Sequence, residues 1–433
     1  MRIWSTELLD HVGERVELQG WLLNHRALSR VDFVIMRDGR GVCQIVVNDP
    51  DQRAEAAKWL DETVFTVEGT PKLNPQAPGG VELVDPTFNL LVATPDPPPV
   101  NLRVPEVKEA LPYQLDHGAI TLRHPRRRAM FRLGAFSLRG MRETLDAAGF
   151  TEIQTPKIVA SATETGANVF RIDYFGRPGY LAQSPQFYKQ MMVGVFERVY
   201  EIGPVFRAEP HDTVRHLAEY VSLDVELGFI DDHFTVMAVL RDVLAGMVAS
   251  MRERGTRELE LLELTLPDVP ERIPHIEFLD AQHLIERETD ETDVVGEPDL
   301  APAHERFLGE WAQREHGSDF LFVVGYPMSK RPFYTHPNPA KPEFSNSFDL
   351  IFRGVELVTG GQRLHIYEEY VRVLEAAGQS LEPYEAYLEA FKFGMPPHGG
   401  FAIGWERWMA RLVDAPNIRE TTIFPRDLNR IQP

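Results

Sequence analysis

The sequence holds a single cysteine, Cys43, among its 433 residues. One cysteine can form neither an intramolecular disulfide nor a cysteine-based metal site, so we expect a reducing, cytoplasmic location. No apolar run reaches the ~18 residues that a membrane span requires, and the first residues do not open a signal peptide. These absences exclude a disulfide-built scaffold and predict a protein that does not associate with a membrane.

Basic residues are fewer than acidic residues. The sequence has 45 lysines and arginines and 65 aspartates and glutamates, which gives a formal net charge of −20. This balance argues at first sight against a nucleic-acid partner. Net charge describes the long-range field, however, whereas a nucleic acid needs only a local cationic surface. Residues 123–128 supply such a surface with four arginines and a histidine. The net charge therefore does not exclude a nucleic-acid partner.

Residues 1–94 have the pattern of short strands separated by turns. Asp38 to Gly41 form a turn between two of these strands. The predicted elements are strands over 16–23, 32–36, 42–47, 64–67 and 81–84 and a helix over 52–60. Five strands and one helix in this length fit a small closed barrel of the oligonucleotide-binding kind, an OB-fold.

A proline-rich stretch over residues 94–100 marks a domain boundary. We assign residues 95–121 to a linker and residues 122–433 to a second, mixed helix-and-strand domain. Its predicted elements include a helix over 128–148, a strand over 151–155 and a helix that Ser184 caps, with Pro185 at its first position.

Two predicted strands of this domain, over residues 200–209 and 221–229, carry charged side chains on one face. If they pair as a hairpin, Arg207, Glu209, Asp224 and Glu226 line one concave surface. The loop between them adds an arginine and two histidines, a composition that suits an anionic ligand. A solvated sheet face is the alternative for this hairpin taken alone.

Three further segments also have features of a ligand-binding site. Arg407 lies in the first turn of a helix that begins near Glu406, where its charge opposes the helix dipole, so we expect a ligand or partner to hold it. Glu356 and Thr359 lie beside paired glycines and suit Mg²⁺, which prefers oxygen ligands. Residues 183–189 place amides and Lys189 at the start of a helix, a region suited to anions. Each segment alone also fits an ordinary surface.

Taken in order, these segments resemble the motifs of the class II aminoacyl-tRNA synthetases, and closely those of the aspartyl-tRNA synthetases of the compact archaeal type. Residues 149–156 look like the first motif, which lies at the dimer interface. Residues 206–209 with the loop 215–217 look like the second motif. Residues 404–407 look like the third, with Trp405 where a smaller residue is usual.

The resemblance implies an α+β fold, with an OB-fold barrel that reads the anticodon and an antiparallel sheet flanked by helices that performs catalysis. The implied reaction joins L-aspartate to ATP, with Mg²⁺, to give aspartyl-adenylate and diphosphate. The aspartyl group is then transferred to the 3′ end of tRNA(Asp), and tRNA(Asn) is expected as a further acceptor. A cytoplasmic homodimer is implied as well.

The resemblance also implies roles by position. Arg207, Arg407 and Glu356 would be catalytic, and Glu356 and Thr359 would hold Mg²⁺. Aspartate would be bound by Glu164, Gln186, Phe187, Tyr188, Lys189, Arg207, Asp224, Thr359 and Arg363. ATP would be bound by Arg207, Ala208, Glu209, Arg215, His216, Leu217, Glu356, Gly404, Trp405, Glu406 and Arg407.

Lys189 and Arg363 favour aspartate over asparagine, because a neutral amide would leave two cations unpaired. An asparaginyl enzyme, a synthetase-like protein without aminoacylation and a tRNA-independent asparagine synthetase are the alternatives. The tRNA-independent asparagine synthetase would need no anticodon module. The synthetase-like protein without aminoacylation would be expected to lose Arg207, Arg407 or Glu356.

In the barrel, Phe33 would stack on an anticodon base, and Arg26, Gln44 and Glu82 would read base edges. His25 and Gln76 are the candidates for choosing between the two tRNAs. Stricter relatives tend to have a lysine near Gln76, so its absence favours a form that charges both.

Overall fold

The computed structural model describes residues 2–160 and 168–432, and the chain divides into two compact units at Arg127 and Arg128. In the first unit five strands close into a barrel in the order β1-β2-β3-β5-β4, as the sequence predicts. The elements of this unit are β1 (Val16–Ala27), β2 (Asp32–Arg37), β3 (Val42–Val47), α1 (Pro50–Ala56), β4 (Val64–Leu73), β5 (Val81–Val92), α2 (Leu111–Asp116) and α3 (Gly118–Thr121).

The barrel follows from partial alternation of apolar and polar residues along its strands. Val34, Ile45 and Leu83 are fully buried in its core, and Phe33, Val46 and Glu82 beside them are only half-buried, although Ile35 and Gln44 are buried as well. Asp38 accepts hydrogen bonds from the backbone N–H groups of Arg40 and Gly41 and so makes the predicted turn.

Helix α1 is displaced towards the N-terminus relative to its predicted range of 52–60. Asp49 caps it by accepting from the backbone N–H groups of Asp51 and Gln52, and Pro50 occupies its first position. The helix ends at Ala56, and Trp59 leaves it to pack on Phe65 in the barrel core.

Cys43 lies inside the barrel with no exposed surface. Burial raises the pKa of its thiol to about 12, so it behaves as a small apolar core residue.

The second unit is built on an eight-stranded sheet in the order β12-β13-β14-β15-β16-β11-β10-β6, beside a three-stranded sheet in the order β7-β9-β8. Its strands are β6 (Thr151–Glu152), β7 (Ile158–Val159), β8 (Arg171–Tyr174), β9 (Arg177–Leu181), β10 (Arg198–Phe206), β11 (Glu219–Gly228), β12 (His275–Glu277), β13 (Phe320–Val324), β14 (Ser347–Phe352), β15 (Val355–Gln362) and β16 (His398–Gly404). Its helices are α4 (Pro125–Ala147), which begins just before the unit boundary, α5 (Gln186–Phe196), α6 (His233–Arg254), α7 (Thr256–Leu262), α8 (Phe278–Glu288), α9 (Pro302–His316), α10 (Tyr367–Ala376), α11 (Glu385–Lys392) and α12 (Trp405–Leu412).

The large sheet is antiparallel from β13 to β10, and its two edge strands pair in parallel. The expected antiparallel sheet is therefore mixed at its edges. Strands β10 and β11 form the predicted hairpin, in which Glu201 lies opposite Asp224. Strands β14 and β15 turn at Arg353 and Gly354, both of which have positive φ.

Two local predictions need correction. The strand predicted over 151–155 pairs regularly only through Glu152. The Ile153 backbone N–H still donates to the Tyr200 carbonyl, and that of Thr155 donates to the Glu201 carboxylate. Helix α5 begins at Gln186 with Pro185 as its N-cap, one residue later than predicted. The Ser184 hydroxyl still accepts from the Gln186 backbone N–H.

Helix α6 is long and apolar enough, by length and composition alone, to cross a membrane. Its apolar residues, including Leu240 and Leu244, are instead part of the central core, and it packs on β15 and β16. Arg241 and Asp242 interrupt its apolar sequence. We therefore describe it as a core helix.

Candidate active site

A cavity of about 380 Å³ opens in the second unit, where β11, β15 and β16 meet the starts of α5 and α12. This volume lies within the range of small-ligand sites. Fourteen of the predicted residues line it: Gln186, Lys189, Arg207, Glu209, Arg215, His216, Leu217, Asp224, Glu356, Thr359, Arg363, Gly404, Glu406 and Arg407. Segments that lie far apart in the sequence thus form one wall.

Arg207 follows directly after β10. Its backbone N–H donates to the Ala218 carbonyl, and its guanidinium lies 5.7 Å from the Tyr220 ring centroid. Its Nη1 lies 3.8 Å from an oxygen of Glu209. The side chain is 42% exposed, so it can reach a ligand in the cavity.

Glu209, His211 and His216 each offer one ligand atom, and these atoms lie within 4.8 Å of one another. Although the three could hold a metal ion, cations surround them. Burial lowers the pKa of His216, and His211, Arg407 and Arg215 lower it further. This field favours an anion, such as a phosphate group, over a metal cation.

Arg407 and Glu406 stand at the start of α12. The Arg407 Nη1 donates to the Glu356 carbonyl at 2.8 Å, so its unfavourable position in the first turn is offset by a backbone partner. The Glu406 carboxylate accepts from the Val221 backbone N–H, and burial raises its pKa to about 7.

Glu356 and Thr359 are joined by a hydrogen bond of 3.1 Å from the Thr359 hydroxyl to the Glu356 carboxylate. Asp349 lies opposite Thr359 in the sheet. Burial raises the pKa of Asp349 to about 6, although Arg331 lowers it. The carboxylates of Glu356 and Asp349 and the hydroxyl of Thr359 together form an oxygen donor set that fits Mg²⁺. The Asp349 carboxylate is the buried one, whose pKa is raised.

Lys189 and Arg363 belong to a buried network of four charges. The Lys189 Nζ lies 3.0 Å from Asp224 and 3.4 Å from Glu226, and the Arg363 Nε lies 3.1 Å from the other Glu226 oxygen. The two cations are therefore already balanced by two carboxylates. The expectation that a neutral amide would leave these cations unpaired does not hold, because each cation has an internal carboxylate partner.

Four predicted residues are not among the described residues that line the cavity. Phe187 stacks on Tyr387 with ring centroids 4.3 Å apart, and Trp405 packs into the central core. Ala208 donates its backbone N–H to Asn168 outside the cavity wall, and Tyr188 is half-buried. Glu164, a further predicted aspartate contact, lies outside the described residues.

The structure adds charged residues that the sequence did not single out. Arg331 lines the cavity and lies 3.1 Å from Asp349, with its guanidinium over the Tyr326 ring. Glu305 in α9 contacts both Arg215 and the backbone of Glu356. Local patterns gave no signal for either residue, because each is brought to the site by chain packing.

On the barrel, the four residues predicted to read the anticodon form one connected outer surface. Arg26 lies opposite Phe33 in neighbouring strands, with its guanidinium 5.9 Å from the ring centroid. The Arg26 Nη2 lies 3.5 Å from the side-chain oxygen Oε1 of Gln44, and the Gln44 side-chain Nε2 donates to the Glu82 carboxylate at 3.1 Å. An aromatic face beside linked polar groups suits a splayed base.

His25 and Gln76 lie in different contacts on the barrel. His25 is 3.0 Å from Asp32, which Arg53 also binds. Gln76 is exposed, and its backbone N–H donates to the Asn74 side chain. The Asn74 amide in turn donates to Glu82 at 2.7 Å, so the loop carrying Gln76 is tied to the predicted anticodon surface.

Comparisons with known proteins agree with this geometry. Residues 111–428 match the family described as tRNA synthetases class II (D, K and N), and residues 16–91 match the OB-fold nucleic acid binding domain. The chain is 44% identical to the aspartate–tRNA(Asp/Asn) ligase of Thermus thermophilus over 100% of both chains. It is 37% identical to the aspartate–tRNA(Asp) ligase of Pyrococcus furiosus over 99% of each. The crystal structure of asparaginyl-tRNA synthetase from Pyrococcus horikoshii with asparaginyl-adenylate superposes with a TM-score of 0.92 at 28% identity, covering 100% of both chains.

Proposed function

Because the chain belongs to the class II tRNA synthetases of the aspartate, lysine and asparagine group, we propose that it is an aspartate–tRNA ligase. The observation that carries the proposal is the single cavity that joins Arg207, Arg407 and Glu356 to the buried Lys189 and Arg363. We assign residues 1–94 to anticodon binding, 95–121 to a linker and 122–433 to catalysis.

In the first step the α-carboxylate of aspartate attacks the α-phosphate of ATP, and diphosphate leaves. Arg207 neutralises the charge that develops on the α-phosphate, and Arg215, His216 and Arg407 hold the remaining phosphates. Glu356 and Thr359, with Asp349 beside them, would hold Mg²⁺, which when bound supplies further positive charge to the phosphate oxygens. The ribose hydroxyl at the tRNA 3′ end then attacks the aspartyl carbonyl carbon of the adenylate, an ester bond forms, and AMP leaves.

For amino-acid selection, we infer that Lys189 and Arg363 donate hydrogen bonds to the side-chain carboxylate of aspartate in addition to their internal pairs with Asp224 and Glu226, which fix their positions. Fixed cations recognise a carboxylate without the cost of reorganising when it arrives. The aspartate ligases among the relatives support this choice over asparagine.

A homodimer in the cytoplasm completes the proposal. Strand β6, in the segment that resembles the first motif, lies at the edge of the eight-stranded sheet. An edge strand offers unpaired backbone groups to a second chain, which supports a dimer at this segment.

The test is diphosphate exchange into ATP. We expect exchange with L-aspartate and at least ~100-fold less with L-asparagine or L-lysine, as a site built for one charged group allows. Exchange that depends on asparagine instead would support the asparaginyl alternative. The absence of exchange with any amino acid would contradict the proposal.

For tRNA choice, we expect the protein to charge both tRNA(Asp) and tRNA(Asn) with aspartate. The relative that shares 44% identity is a ligase for both tRNAs, and Gln76 provides no cation in the loop. The measurement is charging of each purified tRNA with labelled aspartate. An uncharged tRNA(Asn) beside a charged tRNA(Asp) would contradict this expectation. Phe33→Ala is the comparison variant for the anticodon surface. Because it removes a stacking surface, it should weaken charging of both tRNAs about tenfold or more without altering diphosphate exchange.

A further inference from the structure

Glu356 has its backbone held from two sides. Its carbonyl accepts from Arg407 at 2.8 Å, and its N–H donates to the Glu305 carboxylate at 2.8 Å. Glu356 pairs with Ile351 of β14. The register of the two strands shifts between Leu350 and Ile351, directly beside this pair. The Glu356 N–H thus donates to a side chain from α9, which lies about fifty residues earlier in the sequence.

The same Glu305 oxygen lies 3.5 Å from Nη2 of Arg215. The Glu305 side chain is 8% exposed, whereas that of Arg215 is 34% exposed and lines the cavity. One buried carboxylate therefore contacts a cation of the loop after β10 and the strand that carries Glu356.

Close packing fixes Glu305 at this place. A Cβ at Gly309 would lie 2.5 Å from the Gly354 backbone nitrogen, so α9 rests directly against the turn between β14 and β15. Glu305 lies about one helical turn before Gly309 on the same side of α9. A helix seated this closely on the turn brings the carboxylate over Glu356 with little freedom to move.

We propose that Glu305 is a positioning residue for ATP, which orients Arg215 towards the phosphates and fixes the strand that presents Glu356. The inference rests on the proposed function, because it takes Arg215 and Glu356 as part of the ATP site. Glu305 itself does not line the cavity, so its effect passes through these two residues.

Two substitutions separate the contacts. Glu305→Gln keeps an acceptor for the Glu356 N–H but removes the charge that attracts Arg215, and Glu305→Ala removes both. We expect Glu305→Gln to raise the KM for ATP about tenfold with kcat nearly unchanged, and Glu305→Ala to lower kcat about 100-fold as well, because small misplacements near the reacting groups have effects of this size. Exchange assays on the full chain over a range of ATP concentrations measure both quantities. Glu310→Gln, exposed on the same helix, is the matched control.

A double-mutant cycle with Arg215→Gln separates positioning from general stability. If Glu305 acts on ATP through Arg215, Glu305→Gln should change the KM for ATP less than twofold in the Arg215→Gln background. Additive effects, an unchanged KM in the single variant, or loss of folding in Glu305→Gln would each overturn the inference. The wild-type chain must first show aspartate-dependent exchange, so a failure of the proposed function is recognised separately.

Discussion

Replacing Arg207 by alanine is expected to reduce aspartate-dependent exchange by about 1000-fold or more, because one preorganised charge on a developing anion contributes effects of this order. Arg207 is the cation next to the hairpin that the proposed mechanism places on the α-phosphate. Its side chain is 42% exposed and lies outside the central core, so folding should survive the change. Diphosphate exchange measures the loss, and the thermal unfolding midpoint checks the fold.

The matched control for this variant is Arg252→Ala, which removes an exposed arginine from α6. It should exchange like the wild type. Exchange by Arg207→Ala within tenfold of the wild type would remove Arg207 from the proposed mechanism. A fall in unfolding midpoint that parallels the loss of exchange would count against the assigned role as well.

The second large effect is expected on stability. Glu226 has no exposed surface and lies between Arg363 and Lys189. Glu226→Gln keeps the shape but leaves buried positive charge uncompensated, which typically destabilises by about 3–5 kcal/mol. Urea unfolding of the two proteins at neutral pH measures the difference. Glu389→Gln, exposed on α11, should leave the free energy of unfolding within about 0.5 kcal/mol of the wild type.

The pH dependence of this difference follows from the pKa of Glu226. Burial raises that pKa, but the charges of Arg363 and Lys189 outweigh burial and hold it below its ordinary value. A carboxyl with a lowered pKa in the folded state stabilises fully above its unfolded pKa of about 4.3 and loses this contribution as the pH falls through the folded value. The gap between wild type and Glu226→Gln should be constant from about pH 6 to 8 and shrink below about pH 4. A gap under about 1 kcal/mol at neutral pH would contradict the prediction.

Local patterns in the sequence were sufficient for the barrel and for the hairpin of β10 and β11. Partial alternation, a turn at Asp38 and apolar residues on one face depend on neighbours in the chain. The candidate site could be predicted for a related reason. Each of its motifs is a short local segment, and their order along the chain is typical of the family without reference to any tertiary contact.

The geometry of α5 shows why consecutive residues of a motif do not all contact the same ligand. The resemblance assigns all of residues 186–189 to aspartate binding, but a helix turns ~100° per residue and cannot present four successive side chains to one ligand. Gln186 and Lys189 face the cavity, whereas Phe187 lies against Tyr387. Helical periodicity applied within the run would have separated them.

Long-range charge contacts could not be predicted in this way. Glu305 lies in an ordinary amphipathic helix, and nothing nearby in the sequence marks it as buried. The pairing of Lys189 with Asp224 and Glu226 likewise depends on how α5 packs on β11. Each contact is decided by the three-dimensional arrangement of the sheet and its helices.

The deeply buried thiol of Cys43 has a practical consequence for spectroscopy. A sulfhydryl with a pKa near 12 and no exposed surface will not react with maleimide or iodoacetamide reagents at neutral pH, since the thiolate is the reactive form. A cysteine introduced at any exposed position would then be the single labelled site in the chain. Fluorophores could thus be attached to the anticodon surface and to the cavity rim without first removing a native residue.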